Sequence, residues 1–390
     1  MTDSAALTDT QRQIVELARD FARTHIEPHA AEWDRTEHFP RAVLKELGQL
    51  GFLGMLAPEE YDGMALDITT YLMVLEELAA ADASISVSVG IHNALPTGIL
   101  ARYGTPAQKQ RWLKPLAQGA LLGAFSLSEA DAGSDAGSLR TRAVRDGASW
   151  ILRGSKAWVT NGGTADLVIL FARTDAGISA FMVPTNAPGY RPGKPEDKMG
   201  LRASNTVSVA LEDVRLPLDH LVGDEGKGFH YAMEALDGGR IGIAAQGVGI
   251  SRRALEHAMR YCAERTQFGT PLKDFEAVKF KLADMATRIT AARALGMLAA
   301  ARRDRGEDCT LEASIAKVFA SETAMWVTTQ AIQLFGGYGY MRDYPVEKLF
   351  RDAKVTEIYE GTSEIQRLII ARELYRREER AFEPLPRSEI

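Results

Sequence analysis

At 390 residues the chain is long enough for two or three domains of about 100–200 residues each. Apolar residues make up 46% of the sequence and charged residues 25%, the balance of an ordinary soluble globular protein rather than of a disordered or membrane-embedded one. The net charge is −6 and like charges do not cluster, so we expect no nucleic-acid partner.

The first part of the chain, from about Thr8 to Gln118, has a helical period. Thr8 and Gln11 have the spacing of a capping box, which predicts a helix start. Apolar residues then recur at intervals of three and four. Further helices are predicted near Arg41–Leu50, Thr69–Ala80 and Pro106–Ala117. We therefore expect an N-terminal α-helical domain over residues 1–120.

The middle part, residues 121–227, has short runs of β-branched and aromatic residues separated by Gly and Pro. Such spacing favours an antiparallel barrel or sandwich over βαβ units. The predicted strands lie at Trp150–Leu152, Ala157–Thr160, Leu167–Ala172, Ile178–Val183 and Thr206–Leu211.

The last part, residues 228–390, returns to long helical segments. The apolar residues of one helix step by three and four, as in a bundle: Phe275, Val278, Leu282, Met285, Ile289 and Ala292. Another helix is indicated by Ile315, Val318, Phe319, Met325 and Ile332. The fold class is therefore α+β: a helical domain, an antiparallel β-barrel domain and a C-terminal four-helix bundle.

Two segments of the β part could face a ligand. The turn after Phe125 is crowded with small and hydroxyl residues, among them Ser128 and Ser134, which let a ligand approach the backbone. Trp158 and Thr160 share a strand face that could support a flat, polar-edged ring. For either segment alone, a hairpin loop beside a core tryptophan is the commoner case.

Two segments of the last part could also carry chemistry. Gly336 and Gly337 follow a helix and suit either a helix C-cap or a ligand. Glu360 lies in a loop before a helix that Ser363 and Gln366 would cap. A carboxylate in an apolar loop is a candidate general base, although a solvated loop residue is the commoner case. The chain has no Rossmann fingerprint, P-loop or metal-ligand spacing.

Taken together, these segments resemble the acyl-CoA dehydrogenase family over nearly the whole chain. The matching motifs, in the family's order and spacing, are Leu127-Ser128-Glu129, Trp158-Val159-Thr160-Asn161-Gly162-Gly163, Asp237 to Arg240, Arg265 to Gly269, Gln333 to Gly337 and Tyr359 to Thr362. The family's domain order is a helical domain, a β domain and a helical bundle. The same order is indicated by the spacing of apolar residues along this chain.

The resemblance implies FAD, bound non-covalently between the β domain and the bundle. The implied flavin-side positions are Phe125, Leu127, Ser128, Gly133, Ser134, Trp158, Val159 and Thr160, with Thr362, Ser363 and Glu364 bordering the cofactor. The implied pyrophosphate and adenine positions are Arg265, Gln267, Phe268, Glu276, Gln333, Leu334, Phe335, Gly336 and Gly337. Glu276 departs from the glutamine common there and Ala130 from a common proline, and we expect neither to affect the base.

The resemblance also implies the reaction, α,β-dehydrogenation of a short- to medium-chain acyl-CoA to the trans-2-enoyl-CoA. Glu360 would remove the α-proton while flavin N5 accepts a β-hydride. The implied substrate positions are Ser134, Asp237, Gly238, Gly239, Arg240, Tyr359 and Gly361. One subfamily carries its base at the position of Gly239, where this chain has no side chain, so Glu360 is the single candidate. The run from Asp237 onward is most like short-chain and short/branched-chain members.

The implied partners are an electron-transfer flavoprotein and further copies of the chain, most often in a homotetramer. The N-terminal residues have no signal or transit pattern and no apolar stretch reaches the ~18 residues of a membrane span, so we expect a cytoplasmic protein without membrane insertion. Two alternatives remain: an acyl-CoA oxidase that passes electrons to O₂, although oxidases are usually longer, and a catalytically silent flavin- or acyl-CoA-binding assembly factor. An intact Glu360 argues against the silent protein.

Overall fold

The computed structural model describes residues 7–382, with side chains to residue 378. The outer ends of the first and third predicted domains, residues 1–6 and 383–390, lie outside this range. Helices come first, then strands, then long helices, so the predicted α–β–α order is confirmed. No helix in the described part of the chain is both long and apolar enough to cross a bilayer.

The N-terminal part contains eight α-helices within the described residues, besides short 3-10 and π-helical segments. Their bounds are α1 Asp9–Phe21, α2 Ala30–Thr36, α3 Arg41–Gln49, α4 Ile68–Ala81, α5 Ala83–His92, α6 Gly98–Tyr103, α7 Pro106–Gln108 and α8 Lys114–Ala117. The capping box of Thr8 and Gln11 is present at the start of α1, as predicted. Helix α5 was not predicted, because its alternating Ser, Val and Ile residues have the period of a strand. The Asp82 carboxylate caps α5 by accepting from the Ser84 N–H at 2.7 Å.

The middle part contains one eight-stranded sheet. Its strands are β1 Gly123–Ser126, β2 Arg142–Asp146, β3 Ser149–Thr160, β4 Leu167–Thr174, β5 Gly177–Pro184, β6 Tyr190–Pro195, β7 Thr206–Pro217 and β8 Leu221–Val222. The strand order is β6-β7-β3-β2-β4-β5-β8, and β1 pairs with β4. Most pairs are antiparallel, as predicted, but β1 and β2 both run parallel to β4. The strand path found in the described residues runs from β6 to β8.

The sheet packs against two different cores. On β4, Leu167, Ile169 and Phe171 pack with the helices. Val168 and Leu170, which point the other way, belong to a second core that is formed by residues of β1 to β7 and by Ala165 in the loop before β4. The two-residue period of β4 therefore joins the sheet to the helical parts while enclosing an interior of its own.

The C-terminal part is the helical bundle. Its helices are α9 Gly228–Glu264, α10 Glu276–Asp304, α11 Thr310–Phe335, α12 Val346–Lys354 and α13 Ser363–Phe382, with a small hairpin of β9 Thr266–Gln267 and β10 Thr270–Pro271 between α9 and α10. Helix α9 also packs on α4 and α5, so the bundle and the N-terminal helices share one core.

The predicted apolar face of α11 is not its most buried face. The residues from which this helix was predicted are only partly buried: Ile315, Val318, Phe319, Met325 and Ile332. The fully buried side of α11 consists mainly of small residues, Ala313, Ala316, Ala320, Ala324 and Ala331 among them. The reason is the close approach of α9, where a Cβ added at Gly247 would lie 3.0 Å from the Ala320 carbonyl oxygen. Large side chains have no room between two such close helices.

Candidate active site

Glu360 lies in the turn between α12 and α13, as predicted. Glu360 and Gly361 both have left-handed backbone conformations, with φ of 51° and 89°. A non-glycine residue adopts this conformation at a cost of order 1 kcal/mol, so its surroundings must hold it. The Gln366 amide donates to the carbonyl oxygens of Glu360 and Gly361, both at 3.1 Å. Lys317 Nζ donates to the Gly361 carbonyl at 2.8 Å.

The start of α13 differs from the prediction. The helix begins at Ser363, but its N-cap is Thr362, whose hydroxyl accepts from the Ile365 N–H at 3.3 Å. The predicted capping box of Ser363 and Gln366 is wrong, because the Gln366 side chain turns back to the carbonyls of the Glu360 turn. Ser363 Oγ is buried and has no hydrogen-bond partner among the described residues. A hydroxyl at a helix N-terminus is thereby left available to a ligand.

The Glu360 carboxyl lies against the backbone of Gly239 on α9. A Cβ added at Gly239 would overlap Glu360 Oε2 and lie 2.8 Å from the carboxyl carbon. Glycine at position 239 is therefore what makes room for the acid. Glu360 Oε2 is buried and accepts no hydrogen bond from any described residue.

Burial raises the pKa of Glu360 to about 7, and the charges of Lys317 and Arg240 act in the opposite direction. The carboxyl is thus near its midpoint at neutral pH, which is the range of a general base working in that environment. The residue as a whole is half-buried, so the shielded part is the carboxyl and not the whole side chain.

A narrow cleft with about 10 Å³ of free space lies beside the Glu360 carboxyl between α4, α5 and α9. Its lining is mostly apolar or backbone: Tyr71, Leu75, Ser86, Val87, Gly90, Ile91, Gly239, Gly242, Ile243, Gln246 and Glu360. A concave apolar space with one unpartnered carboxyl oxygen suits a substrate whose reacting carbon must be placed against a base.

Polar side chains of the cleft wall are bonded among themselves. The Tyr71 hydroxyl donates to the Gly90 carbonyl at 3.1 Å. The Tyr359 hydroxyl donates to Gln246 Oε1, and Gln246 Nε2 donates to the Ala83 carbonyl at 2.8 Å. These groups are therefore satisfied without a ligand, and they close the cleft away from Glu360.

The other predicted substrate residues lie further along α9. The Arg240 guanidinium, buried, donates to Asp237, and Thr310 Oγ1 donates to the same carboxylate at 3.0 Å. A Cβ added at Gly238 would lie 3.1 Å from the Arg303 guanidinium. Asp237 to Arg240 thus lie in one helix. Gly239 contacts the Glu360 carboxyl, and the polar groups beside it are Asp237, Arg240, Arg303 and Thr310.

The two predicted cofactor segments of the sheet lie next to each other. The Ala157 N–H donates to the Ser128 carbonyl at 3.0 Å, which joins the turn after β1 to the end of β3. Trp158 occupies a bulge of β3 with φ of 59°, and its side chain is 66% exposed. Phe125 and Thr160 are half-buried, and Gly133 and Ser134 are exposed.

A buried ion pair holds this turn in place. Lys156 Nζ donates to the Leu127 carbonyl at 3.0 Å and to the Glu129 carboxylate at 2.9 Å. Burial alone would raise the pKa of Glu129, but its hydrogen bonds from Thr141, Arg140 and Lys156 outweigh burial and lower that pKa to about 2. Glu129 therefore stays ionised and fixes the position of the turn.

The end of β3 is also joined to the cleft. The buried Asn161 amide donates to the carbonyls of Ser88 on α5 and Gly123 on β1, at 3.4 and 3.3 Å. Val87, directly before Ser88, and Gly90, two residues after it, line the cleft. The exposed Trp158 face and the Glu360 cleft therefore belong to one connected region.

The remaining predicted cofactor residues gather at the far end of α9 and α11. The Arg265 guanidinium lies 5.7 Å from the centre of the Tyr338 ring, next to Gly336 and Gly337. A Cβ added at either glycine would meet nothing within 4 Å, so their backbone is open to a ligand. The rest of this set is mixed: Gln267, Phe268, Glu276 and Gln333 are exposed, while Leu334 and Phe335 are buried. In the described chain none of these residues lines the Glu360 cleft.

The sequence alone does not identify several residues in and around the site. Tyr71, Gln246 and Arg303 carry no local motif, and their part in the site depends on helices that meet only in the fold. Lys317 could have been found, because a lysine within an apolar helical segment is a signal in itself.

Comparison with known proteins gives the class to which this fold and site belong. Residues 8–120, 124–214 and 226–375 match the N-terminal, middle and C-terminal domains of acyl-CoA dehydrogenase. The chain belongs to the acyl-CoA dehydrogenase family. It is thus an oxidoreductase of a family of FAD flavoproteins, and the predicted reaction class and cofactor are confirmed.

Its similar proteins include enzymes for short acyl chains. The short-chain specific acyl-CoA dehydrogenase, mitochondrial, of Bos taurus is 46% identical over 94% of this chain and 90% of its own length. The structure of butyryl-CoA dehydrogenase from Megasphaera elsdenii has a TM-score of 0.93 at 43% identity, over 95% of this chain and 99% of that one. A chain from a structure on the electron transferring flavoprotein of Acidaminococcus fermentans has a TM-score of 0.94 at 44% identity, over 95% of this chain and 99% of that one.

The residues present fit FAD. The exposed Trp158 indole offers a flat surface for a ring system, and the open backbone at Gly336 and Gly337, with Arg265 nearby, suits a pyrophosphate. The unpartnered Ser363 hydroxyl at the start of α13 offers a further polar contact.

Proposed function

We propose that this protein oxidises short-chain acyl-CoA thioesters between Cα and Cβ, with Glu360 as the base that removes the α-proton. The observation that carries the proposal is the buried, unpartnered Oε2 of Glu360 at the wall of the cleft. An acid held only as a structural element would have its oxygens hydrogen-bonded. This one is directed at space that a substrate can fill.

The chain's own groups have distinct tasks in this reaction. Ionised Glu360 accepts the α-proton on its carboxyl, and burial strengthens it as a base by raising its pKa to about 7. The Glu360 backbone N–H has no hydrogen-bond partner in the described chain and is free to polarise the thioester carbonyl. The cleft excludes water from both groups. FAD, when bound, supplies the acceptor for the hydride that leaves Cβ.

The size of the cleft supports short acyl chains. Its free space of about 10 Å³ holds no more than about one water molecule, so an acyl chain must displace buried side chains of the wall, and a longer chain must displace more of them. Tyr71, Leu75 and Gln246 belong to that wall, and the Tyr359 hydroxyl donates to Gln246 Oε1 and so holds the Gln246 side chain in place. The similarity to butyryl-CoA dehydrogenase and to a short-chain specific enzyme points to the same class of substrate.

The electron acceptor, assembly and location belong to the same proposal. An electron-transfer flavoprotein is the proposed acceptor, supported by the similarity to a chain from the Acidaminococcus fermentans structure. A homotetramer is the proposed assembly, supported by Phe268 and Tyr340, which are 96% and 86% exposed near the proposed pyrophosphate site. The cytoplasm is the proposed location.

Anaerobic titration of the purified flavoprotein with acyl-CoA thioesters of four to twelve carbons tests the proposal. We expect the flavin absorbance to bleach, most completely with butyryl-CoA. The Glu360→Gln variant should bind the same ligands, as shown by a shift of the flavin spectrum, without bleaching. Full bleaching by that variant would exclude Glu360 as the base. Rapid reoxidation by air, with peroxide formed, would assign the protein to the oxidases instead.

A further inference from the structure

Lys317 is a buried lysine with no task in the proposed proton and hydride transfers. It lies on α11, within the side of small residues that packs against α9, and its side chain is fully buried. A charged ammonium in such a place has a large desolvation cost unless a partner offsets it. Among the described residues, its ammonium group donates to the carbonyl of Gly361, directly after Glu360, at 2.8 Å.

Holding the turn does not by itself require a lysine. The Gly361 carbonyl also accepts from the Gln366 amide at 3.1 Å, and the same amide binds the Glu360 carbonyl. A neutral donor therefore already fixes both peptide groups. What Lys317 adds to this turn is a positive charge.

The charges around Lys317 leave Glu360 as the acid without a partner of its own. Four charged groups face the lysine: Glu360 in the turn, Arg240 on α9, Glu357 after α12 and Glu364 at the start of α13. Arg240 is paired with Asp237, and Glu357 is paired with Lys354 at 2.6 Å. Glu364 is exposed to solvent.

The groups that face Glu360 lead to the same pairing. They are the cations Lys317 and Arg240 and the neutral phenols of Tyr71 and Tyr359, which burial keeps protonated. Glu360 forms no ion pair within 4 Å in the described chain, so its oxygens stay free for the substrate. Lys317 reaches it through the adjacent peptide group instead.

We propose that Lys317 is a positioning residue for the base: it holds the Glu360–Gly361 turn through the Gly361 carbonyl and supplies a nearby positive charge that keeps the Glu360 carboxyl ionised without touching it. This inference rests on the proposed function of Glu360. The arrangement solves a specific problem. A base in an apolar cleft needs a counter-charge, but a counter-ion in direct contact would occupy the oxygen that must take the proton.

The titration of the two groups agrees with this geometry. Burial lowers the pKa of Lys317 to about 8, and the Glu360 carboxylate acts against that shift. Burial raises the pKa of Glu360 to about 7, and of the neighbouring charges Lys317 does most to lower it. Each group therefore favours the charged form of the other across neutral pH.

The test measures the rate of flavin reduction by butyryl-CoA against pH in the holoenzyme. In Lys317→Met, which keeps the shape without the charge, we expect the acidic limb of the profile to move upward by on the order of one pH unit. Lys317→Gln, also uncharged, should move it in the same direction, and Lys317→Arg should leave it close to wild type. Lys354→Met is the matched control: it removes an equal charge from a half-exposed site near the same turn and should not move the limb.

A second readout does not depend on turnover. The infrared carboxyl band of Glu360, isolated as the difference between each protein and its Glu360→Gln counterpart, gives the midpoint of its titration directly. An acidic limb and a band midpoint that stay at the wild-type pH in both folded neutral variants would overturn the proposal, whatever happens to the rate. Absence of bleaching with every acyl-CoA would instead refute the proposed function, while the band would still decide the role of Lys317.

Discussion

The Glu360 carboxyl rests on the backbone of Gly239, a residue with no side chain on the central helix of the bundle. The two positions are distant in the sequence and meet because α9 passes under the turn before α13. Any side chain at Gly239 would take the space of Glu360 Oε2. The identity of one residue on α9 therefore decides where the acid of another segment can lie.

Gly239→Ala tests this contact. The added methyl meets the flexible end of the Glu360 side chain, so we expect the fold and FAD content to survive while the carboxyl moves away from its place. A displacement of about 1 Å can reduce a rate about a hundredfold, and stopped-flow reduction by butyryl-CoA should show a loss of that order. Gly98→Ala is the control, since its methyl would meet only the Asn93 carbonyl oxygen at 3.5 Å. Equal rates in Gly239→Ala and wild type would contradict the structure.

How far the sequence predicts this molecule depends on whether a pattern is local. The helix start at Thr8, the strand at Thr206–Leu211 and the turn at Glu360 were all recognised, because caps, alternation and glycine act within a few residues. Helix α5 was not recognised, since its Ser and Val alternate like a strand and burial on all sides removes the helical period.

The site shows the same division. The motif around Glu360 identified the candidate base, but not the cleft in front of it, whose walls come from α4, α5 and α9. In the sequence, Gly239 indicated only that this position carries no base, whereas in the fold its missing side chain makes the space for the Glu360 carboxyl. Lys317 was overlooked because α11 was interpreted from its large side chains, and the close approach of α9 buries the small ones instead.

Glu360→Gln should stabilise the protein, increasingly so as the pH rises. The folded state holds the Glu360 proton up to a pKa of about 7, while an unfolded glutamate releases it near 4.5. The wild type therefore loses stability as the pH rises from about 4.5 to 7, and the neutral amide does not. We expect up to about 3 kcal/mol at pH 8, a few degrees in Tm, and almost no difference near pH 4.5.

Scanning calorimetry of the FAD-saturated proteins at pH 5 and pH 8 measures this difference. Glu364→Gln serves as the control, because Glu364 is exposed and its hydrogen bonds lower its pKa. That variant should be no more stable than the wild type at pH 8. A Glu360→Gln gain that is the same at both pH values would show that burial does not raise the pKa of Glu360.

Trp158→Ala should weaken FAD binding and leave the fold intact. The indole is 66% exposed on a strand bulge, so its removal leaves no cavity in the core. If the ring packs against the flavin, its loss should raise the dissociation constant about tenfold, equivalent to about 1.4 kcal/mol. Fluorescence titration of the apoprotein with FAD measures the constant, and Trp158→Phe, which keeps a flat ring, should be intermediate. An unchanged constant in Trp158→Ala would place the flavin elsewhere.

Gly242→Ala should shift the substrate preference further toward short chains. An added Cβ would lie 3.2 Å from Leu75 Cδ1 and 3.4 Å from the Tyr71 hydroxyl, both on the α4 wall of the cleft. Because an alanine in a helix is about 1 kcal/mol more favourable than glycine, the tight contact should leave stability near that of the wild type. The methyl narrows the space beyond the first carbons of the acyl chain, so octanoyl-CoA should lose far more of its kcat/KM than butyryl-CoA.

The opposite wall of the cleft provides the comparison for that variant. Gly90→Ala would bring its Cβ 3.4 Å from Leu75 Cδ1 and 3.7 Å from the Tyr71 hydroxyl, which are ordinary contacts. Its ratio of octanoyl-CoA to butyryl-CoA kcat/KM should therefore change less than that of Gly242→Ala. If Gly242→Ala lowers both substrates by the same factor, the acyl chain does not run between α9 and α4, and the short-chain preference must come from another part of the protein.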